Sequence, residues 1–430
     1  MTVGVLGCGN VGAALIELIG ERSEEIRERT GVELRVGAVA VRSTSKARDV
    51  EIDPEVLTTD AHSVVTDPDI DLVVEVIGGI EPARELITAA LKGGKPVVTA
   101  NKELLANVGA ELFATADEAG VDLLFEAAVA GGIPIIRPLR ESLLAEGVTR
   151  VMGIVNGTTN YILTKMAEEG WTYAAALAEA QSLGYAERDP TADVEGFDAG
   201  AKAAIIASIA FGDRVVAGDV FHEGIADITP ADIEFAHRLG YVIKLLALAE
   251  RFEDGTIAVR VHPAMVPVDH PLAAVRESFN AVFIEGEAVG DLMFYGRGAG
   301  GLPTASAVLG DVVDAAANLA KGPHATLGTF GKARLRPIDE LTSPYYLNLE
   351  VQDRHGVLAA VAGVFGDHEV SIRSMEQEAL QPGEGPEGAA RIIFITHAAR
   401  EADLRATLHD LGSLDAVRSV GSVLRVVGEQ

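Results

Sequence analysis

The sequence predicts an α/β protein: a doubly wound parallel sheet, then an α+β domain, then a small module of ferredoxin-like rhythm. Three observations lead there. Roughly the first 130 residues alternate short β-branched runs with helical stretches, as strands and crossover helices do. A glycine-rich turn follows the first of those runs. The last stretch, 345–430, repeats a strand, helix, strand, strand, helix, strand order. A chain of 430 residues also has room for about three domains of ordinary size.

Taken in order, strands are expected over 3–6, 34–41, 71–77, 96–99 and 122–125, with helices near 11–29, 82–92 and 103–119. Together they make a dinucleotide-binding domain over 1–133. Such sheets bind ligands beyond the carboxyl ends of their strands, so the residues just after each strand carry most interest. The pattern then changes to a helix from Pro134, a strand over 149–155, a helix from Thr159 and two alanine-rich helices. Strand-like segments at 256–261 and 281–285 complete an α+β substrate or dimerisation domain over 134–302. A helix near 303–320 is placed to pack back on the first domain. Residues 321–344, rich in Gly, Pro and Thr, read as a linker. Within the final module, QPGEGPEG at 381–388 is the one internal segment expected to be mobile.

Hydrophobic residues make up 48% and charged residues 23%, ordinary globular usage. Lys plus Arg number 35 and Asp plus Glu 64, a net charge of -29. So acidic a chain does not suit nucleic-acid phosphates or anionic lipid, both of which need clustered cations. No long uninterrupted apolar run occurs, and MTVGVLGCGN enters a strand without a basic leader, so a soluble cytoplasmic protein is expected. The single cysteine, Cys8, excludes an intrachain disulfide and a cysteine zinc site. Lysines are few, so one on an otherwise apolar helix is informative.

Gly7, Gly9 and Gly12 form GxGxxG between the first strand and an apolar helix. The glycines permit a tight turn and bring backbone N–H groups to a pyrophosphate at the helix N-terminus, the Rossmann arrangement. After the second strand stand Arg42 and Lys46, with Arg48 behind them, and no acidic residue. An arginine there pairs with a 2'-phosphate, where an Asp or Glu would bond the 2'-hydroxyl of NAD. NADP is therefore favoured over NAD; the alternative leaves Arg42 and Lys46 as solvated surface. Cys8 lies beside the pyrophosphate position, and no other cysteine exists to attack an aldehyde. Direct hydride transfer between alcohol and carbonyl is the expected chemistry.

The second dense cluster is GYAERDPTADVEGFDAGAK at 184–202. Asp198 and Lys202, four apart, project from one face of a largely apolar helix. Either they are a surface ion pair, or Lys202, with Glu187, Asp189, Asp193 and Asp198 around it, is an acid/base held by carboxylates. Lys102 follows the fourth strand, at the sheet edge where cofactor and substrate should meet, or else it is a solvated first-turn residue. NGTTN at 156–160 opens a helix whose N–H groups and Thr158 hydroxyl either hold a carboxylate or cap the helix. YGRGAGGLPTA at 295–305 is a second glycine-rich turn, suited to a ligand or to a hinge.

These motifs together resemble the homoserine dehydrogenases: GCGNVG, TANK, EAAVAGGIP, NGTTNYIL, GYAERDPTADVEGFDAGAK and GRGAGGLPTA stand in that family's order across roughly 1–330. The resemblance implies interconversion of L-homoserine and L-aspartate 4-semialdehyde with NAD(P)H, in threonine and methionine biosynthesis. By similarity Lys202 is the proton donor, with Lys102 beside substrate and nicotinamide. Glu187 and Asp198, with Asp193, Tyr185, Gly157 and Thr158, bind the substrate. The cofactor falls to Gly7, Gly9, Asn10, Val11, Gly12, Arg42, Lys46, Thr99, Ala100, Lys102, Gly300 and Gly301. EAAVAGGIP resembles the family's monovalent-cation (Na or K) site, with Glu126, Val129, Gly131 and Ile133 giving mainly backbone carbonyls; from the pattern alone it is equally a helix start opened by two glycines. The segment from Tyr345 resembles an ACT regulatory domain, whose turn at Asp353, His355, Gly356, Val357 and Leu358 would hold an amino-acid effector, threonine being the obvious candidate. An ACT-like domain used only for assembly is the alternative, and a homodimer or homotetramer is expected. Two rival readings remain at this point: a dehydrogenase of another amino alcohol, and a non-catalytic amino-acid sensor.

Overall fold

The computed structural model describes all residues except 47, 49, 326–329, 381–387 and 429–430; the segment expected to be mobile, 381–388, therefore lies outside the described residues but for Gly388.

The first sheet is built from β1 (Thr2–Leu6), β2 (Arg35–Ala40), β3 (Leu57–Thr58), β4 (Leu72–Glu75), β5 (Val97–Thr99) and β6 (Leu123–Leu124). The connecting helices are α1 (Asn10–Thr30), α2 (Ala61–Thr66), α3 (Ala83–Lys92) and α4 (Lys102–Ala119). The strand order is β3-β2-β1-β4-β5-β6, and every pairing is parallel. TVGVL, LVVE and VVT are buried along their whole length because helices cover both faces, which explains their unbroken apolar runs. The order reverses between β1 and β4, so the ligand crevice opens beyond Leu6 and Glu75.

The middle region follows with β7 (Val148–Ile154), α5 (Gly157–Glu169), α6 (Tyr173–Ser182), α7 (Thr191–Val194), α8 (Phe197–Phe211), β8 (Asp213–Arg214), β9 (Phe221–His222) and α9 (Pro230–Arg238). It closes with β10 (Tyr241–Arg251), β11 (Ile257–Pro267), β12 (Phe279–Gly286), β13 (Gly290–Arg297) and α10 (Gly301–Lys321). One strand runs against its local propensity, and one element departs from expectation. YVIKLLALAER, rich in helix formers, is strand β10, paired along its length with β11 and also with β7; burial between neighbours overrides its propensity. The helix expected from Pro134 is only a short π turn at Pro138–Ser142. The Glu126 carboxylate holds the N–H groups of Ile135, Ile136 and Arg137, which sets the chain's direction before any helix starts.

Helix α10 packs against the first sheet, where Val308, Val312 and Ala315 share a core with Leu15, Ile19 and Val74. Between 321 and 344 lie only β14 (Gly331–Lys332), paired with β8, and β15 (Thr342–Ser343) among described strands. The C-terminal module contains β16 (Tyr345–Gln352), α11 (Val357–Asp367), β17 (Ile372–Ala379), β18 (Ala389–Thr396), β19 (Ala399–Arg400), α12 (Glu401–Gly412) and β20 (Val417–Val426). Its sheet, ordered β20-β16-β18-β17, continues the middle sheet β13-β12-β7-β10-β11 through a parallel β11–β20 pairing. Arg425 stands at this seam. Its buried guanidinium bonds Glu401 of the module (2.6 Å) and Glu223 of the body (2.5 Å). No described helix is long and apolar enough to cross a membrane.

Candidate active site

The loop after β1 is tight for a steric reason: a Cβ on Gly12 would lie 2.2 Å from the Gly7 carbonyl oxygen, and Gly7 itself has φ +105°. Helix α1 starts with no side-chain cap and no acidic residue in its first turn, so its terminal N–H groups face outward for an anion. Asn10 and Gly9 are exposed, while Val11 is half-buried. The second glycine turn packs against this loop, since a Cβ on Gly301 would come 3.1 Å from the Asn10 carbonyl oxygen. Gly300, at φ +119°, caps α10. The loop residues thus fit a dinucleotide pyrophosphate. Arg42 and Lys46 are exposed, and no described residue bonds their side chains. Cys8 is half-buried, and burial raises its thiol pKa against the opposing charge of Arg48.

Two lysines from different helices converge on one carboxylate. Lys202 Nζ donates to Asp198 Oδ2 and to the Val155 carbonyl, both at 2.6 Å. Lys102, the first residue of α4, places its Nζ 3.0 Å from Asp198 Oδ1. Asn156, which caps α5 by accepting from the Thr159 N–H, donates to Asp198 at 2.9 Å and to Asp193 at 2.7 Å. Burial alone would push the Asp198 carboxyl up, but the two ammonium groups outweigh it and hold it well below the usual range. Asp198 raises the pKa of Lys102 in return. Among the described residues no cation pairs directly with Asp193, and burial moves its carboxyl upward.

The ring of carboxylates read from the sequence is thus only partly closed. Asp193 and Asp198 join it, whereas Asp189 is exposed and accepts from the Thr191 hydroxyl at 2.6 Å. Glu187 is exposed with no described partner for its carboxylate. The Thr158 hydroxyl donates to the Tyr185 carbonyl at 2.7 Å, which ties the NGTTN turn to the loop before α7. Tyr185 is exposed, and its ring stands 5.0 Å from that of Tyr161. Gly157 lies so close to the Ser278 carbonyl that a Cβ would come within 2.7 Å. In the EAAVAGGIP loop, Val129, Gly131 and Ile133 are buried, and no described residue donates to their carbonyl oxygens. That donor set suits a cation.

A family model described as "Homoserine dehydrogenase" matches residues 134–313, one described as "Homoserine dehydrogenase, NAD binding domain" matches 7–126, and an ACT-domain model matches 345–416. The chain is 51% identical over 429 residues to the homoserine dehydrogenase of Corynebacterium glutamicum, covering 99% of this chain and 95% of that one. The chain belongs to the homoserine dehydrogenase family. A crystal structure of the Thiobacillus denitrificans homoserine dehydrogenase superposes with a TM-score of 0.92 at 41% identity, covering 99% of this chain and 98% of the other. A hyperthermophilic archaeal homoserine dehydrogenase in complex with NADPH matches 75% of this chain and 99% of its own at 32% identity, with a TM-score of 0.64. Full-length relatedness of this kind carries the homoserine dehydrogenase reaction, with a nicotinamide cofactor, to this chain. The third unit of this homoserine dehydrogenase is an ACT domain. In its turn Asp353, His355, Gly356 and Leu358 are exposed and Val357 is buried. Gly356, at φ +86°, starts α11 with no side-chain cap.

Asn156 and the Val155 carbonyl were not singled out as partners of the lysine from sequence. The only signal for Asn156 was its place in NGTTN, where capping explains it equally well. Glu75 was missed altogether, as a carboxylate ending an apolar strand has no spacing signature.

Proposed function

We propose that the chain interconverts L-homoserine and L-aspartate 4-semialdehyde with Lys202 as acid/base and Lys102 beside the reacting carbon. The convergence of Lys102 and Lys202 on Asp198 carries the reading. The nicotinamide cofactor, bound at the Gly7 to Gly12 loop, supplies the hydride or accepts it. In the reducing direction Lys202 gives a proton to the aldehyde oxygen; in the oxidising direction it receives one. Asp198 holds both lysines in place, and its charge favours the ammonium form of Lys102. The substrate ammonium falls to Glu187 and Asp193, neither of which has a direct described cation partner, with Asp198 adjacent. The N-terminus of α5 at Gly157 and Thr158 suits the carboxylate.

NADP is the preferred cofactor in this reading, with Arg42 and Lys46 free to meet a 2'-phosphate; the NADPH bound to the archaeal relative supports it. A Na or K ion held by carbonyls of Glu126, Val129, Gly131 and Ile133 stiffens the loop behind the site. The ACT turn at 353–358 takes an amino-acid effector, threonine first, and the enzyme is a cytoplasmic homodimer or homotetramer. The test is direct: purified protein receives homoserine with NADP or NAD, with sodium, potassium or neither, and absorbance of reduced cofactor is followed. Reduction with NADP exceeding that with NAD, enhanced by a monovalent cation and lowered by threonine, is expected. No reduction under any condition overturns the catalytic assignment, and equal rates with both cofactors overturn the NADP preference alone.

A further inference from the structure

Glu75 is the last residue of β4 and is wholly inaccessible to solvent, at 0% exposure. Among described residues no cation lies within ion-pair distance of it. Its Oε1 accepts from the N–H groups of Ile77 (2.8 Å) and Gly78 (3.0 Å), and its Oε2 accepts from the Thr99 hydroxyl (2.6 Å). Thr99 Oγ1 accepts in turn from the Asn101 N–H at 3.0 Å. The Asn101 side chain donates to the Gly79 carbonyl (2.7 Å) and accepts from the Leu104 N–H (3.1 Å), capping α4. One buried carboxylate therefore locks together the loops that leave β4 and β5, side by side at the mouth of the crevice. Lys102 sits in the first turn of the helix so capped.

We propose that Glu75, acting through Thr99 and Asn101, is a positioning residue that sets the direction of α4's first turn and so holds Lys102 against Asp198. A buried carboxyl is a costly way to fill a sheet core, and every partner it has is a donor of these two loops or the strand end between them. The inference rests on the reading of Lys102 as a site residue.

The test compares Glu75→Ala, Glu75→Gln and Asn101→Ala with Lys102→Ala and with the double variants in which Lys102 is also alanine. Rates are measured with homoserine at saturating cofactor, and melting temperatures alongside. Glu75→Ala is expected to lower kcat on the order of 10- to 100-fold, as misplacement of a reacting group does, with a smaller change in the homoserine KM. Glu75→Gln should recover most of that loss, because its amide oxygen accepts from Ile77 and Gly78 while its NH2 donates to Thr99. In the Lys102→Ala background Glu75→Ala and Asn101→Ala should each cost little more, since they act through the lysine already removed. Asn101→Ala removes only the link between the Gly79 carbonyl and the start of α4 and preserves the test if Glu75→Ala does not fold. Additive losses, or a Glu75→Gln as slow as Glu75→Ala, overturn the proposal. A slow Lys102→Ala beside an unimpaired Glu75→Ala overturns it alone; an unimpaired Lys102→Ala overturns the site reading and this inference with it.

Discussion

Lys202 combines burial with partners of one kind: an acceptor carbonyl and a carboxylate, and no donor. Lys202→Met should lower kcat by about 10²- to 10⁴-fold while leaving the dissociation constant of the cofactor nearly unchanged, because the phosphate loop lies on another element. A change of less than threefold in kcat, measured by absorbance of reduced cofactor, would show that the lysine only packs. The pairing of Asp198 with Lys202 was legible in the sequence, since a four-residue spacing on one helix places both on one face. Lys102 was legible as a residue after a strand, but its bond to Asp198 was not, because it crosses between α4 and α8. Asp311 carries a second residue-scale prediction. Burial pushes its carboxyl up to about 7, against the Glu126 N–H and the charge of Arg137, with Arg140 also nearby. The unfolded chain ionises this group near 3.8, so between those values the native state holds a proton that the unfolded state has released. Stability attributable to Asp311 therefore falls as pH rises from about 4 to about 7. The melting temperature of Asp311→Asn relative to the natural protein should rise between pH 5 and pH 8; a constant difference across that range would contradict the assignment.

Among the elements, the phosphate loop was the most legible, because three glycines at fixed spacing leave few alternatives to a close backbone approach. Gly12→Ala should weaken cofactor binding by an order of magnitude or more and leave the melting temperature within a few degrees, since the added Cβ meets the Gly7 carbonyl and the loop, not the sheet, must shift. Calorimetric titration with NADP checks it, and undiminished affinity would show that the loop can adjust. Strand β10 was the least legible. Its leucines and alanines carry a helical preference, and only β7 and β11 on its two edges decide otherwise. The turn at 134–142 was misread for a related reason: the carboxylate that directs it comes from Glu126, several residues upstream, and no local pattern announces a side chain bonding three consecutive amides.

At the scale of the whole molecule, the ACT domain is an extension of the catalytic sheet and not a tethered appendage. Arg425 joins Glu401 and Glu223 across that seam, and the Tyr345 hydroxyl also bonds Glu401 at 2.7 Å. Arg425→Met would leave the buried Glu401 with only the more distant Arg405, at 3.6 Å, as a cation, which should cost up to about 3 kcal/mol and lower the denaturation midpoint of the full chain. An unchanged midpoint would mean that strand pairing alone carries the seam. The sequence by itself determined the three-part organisation, the dinucleotide loop, the acidic lysine-poor character and most of the residues that gather at the site, because these follow from local periodicity, glycine spacing and composition. Only the tertiary structure decided that Lys102 and Lys202 share Asp198, that Asn156 bridges two carboxylates, that Glu75 binds two loops together and that β20 continues the sheet of β11. Each of those depends on which distant segments pack side by side, and burial, not local preference, sets that choice.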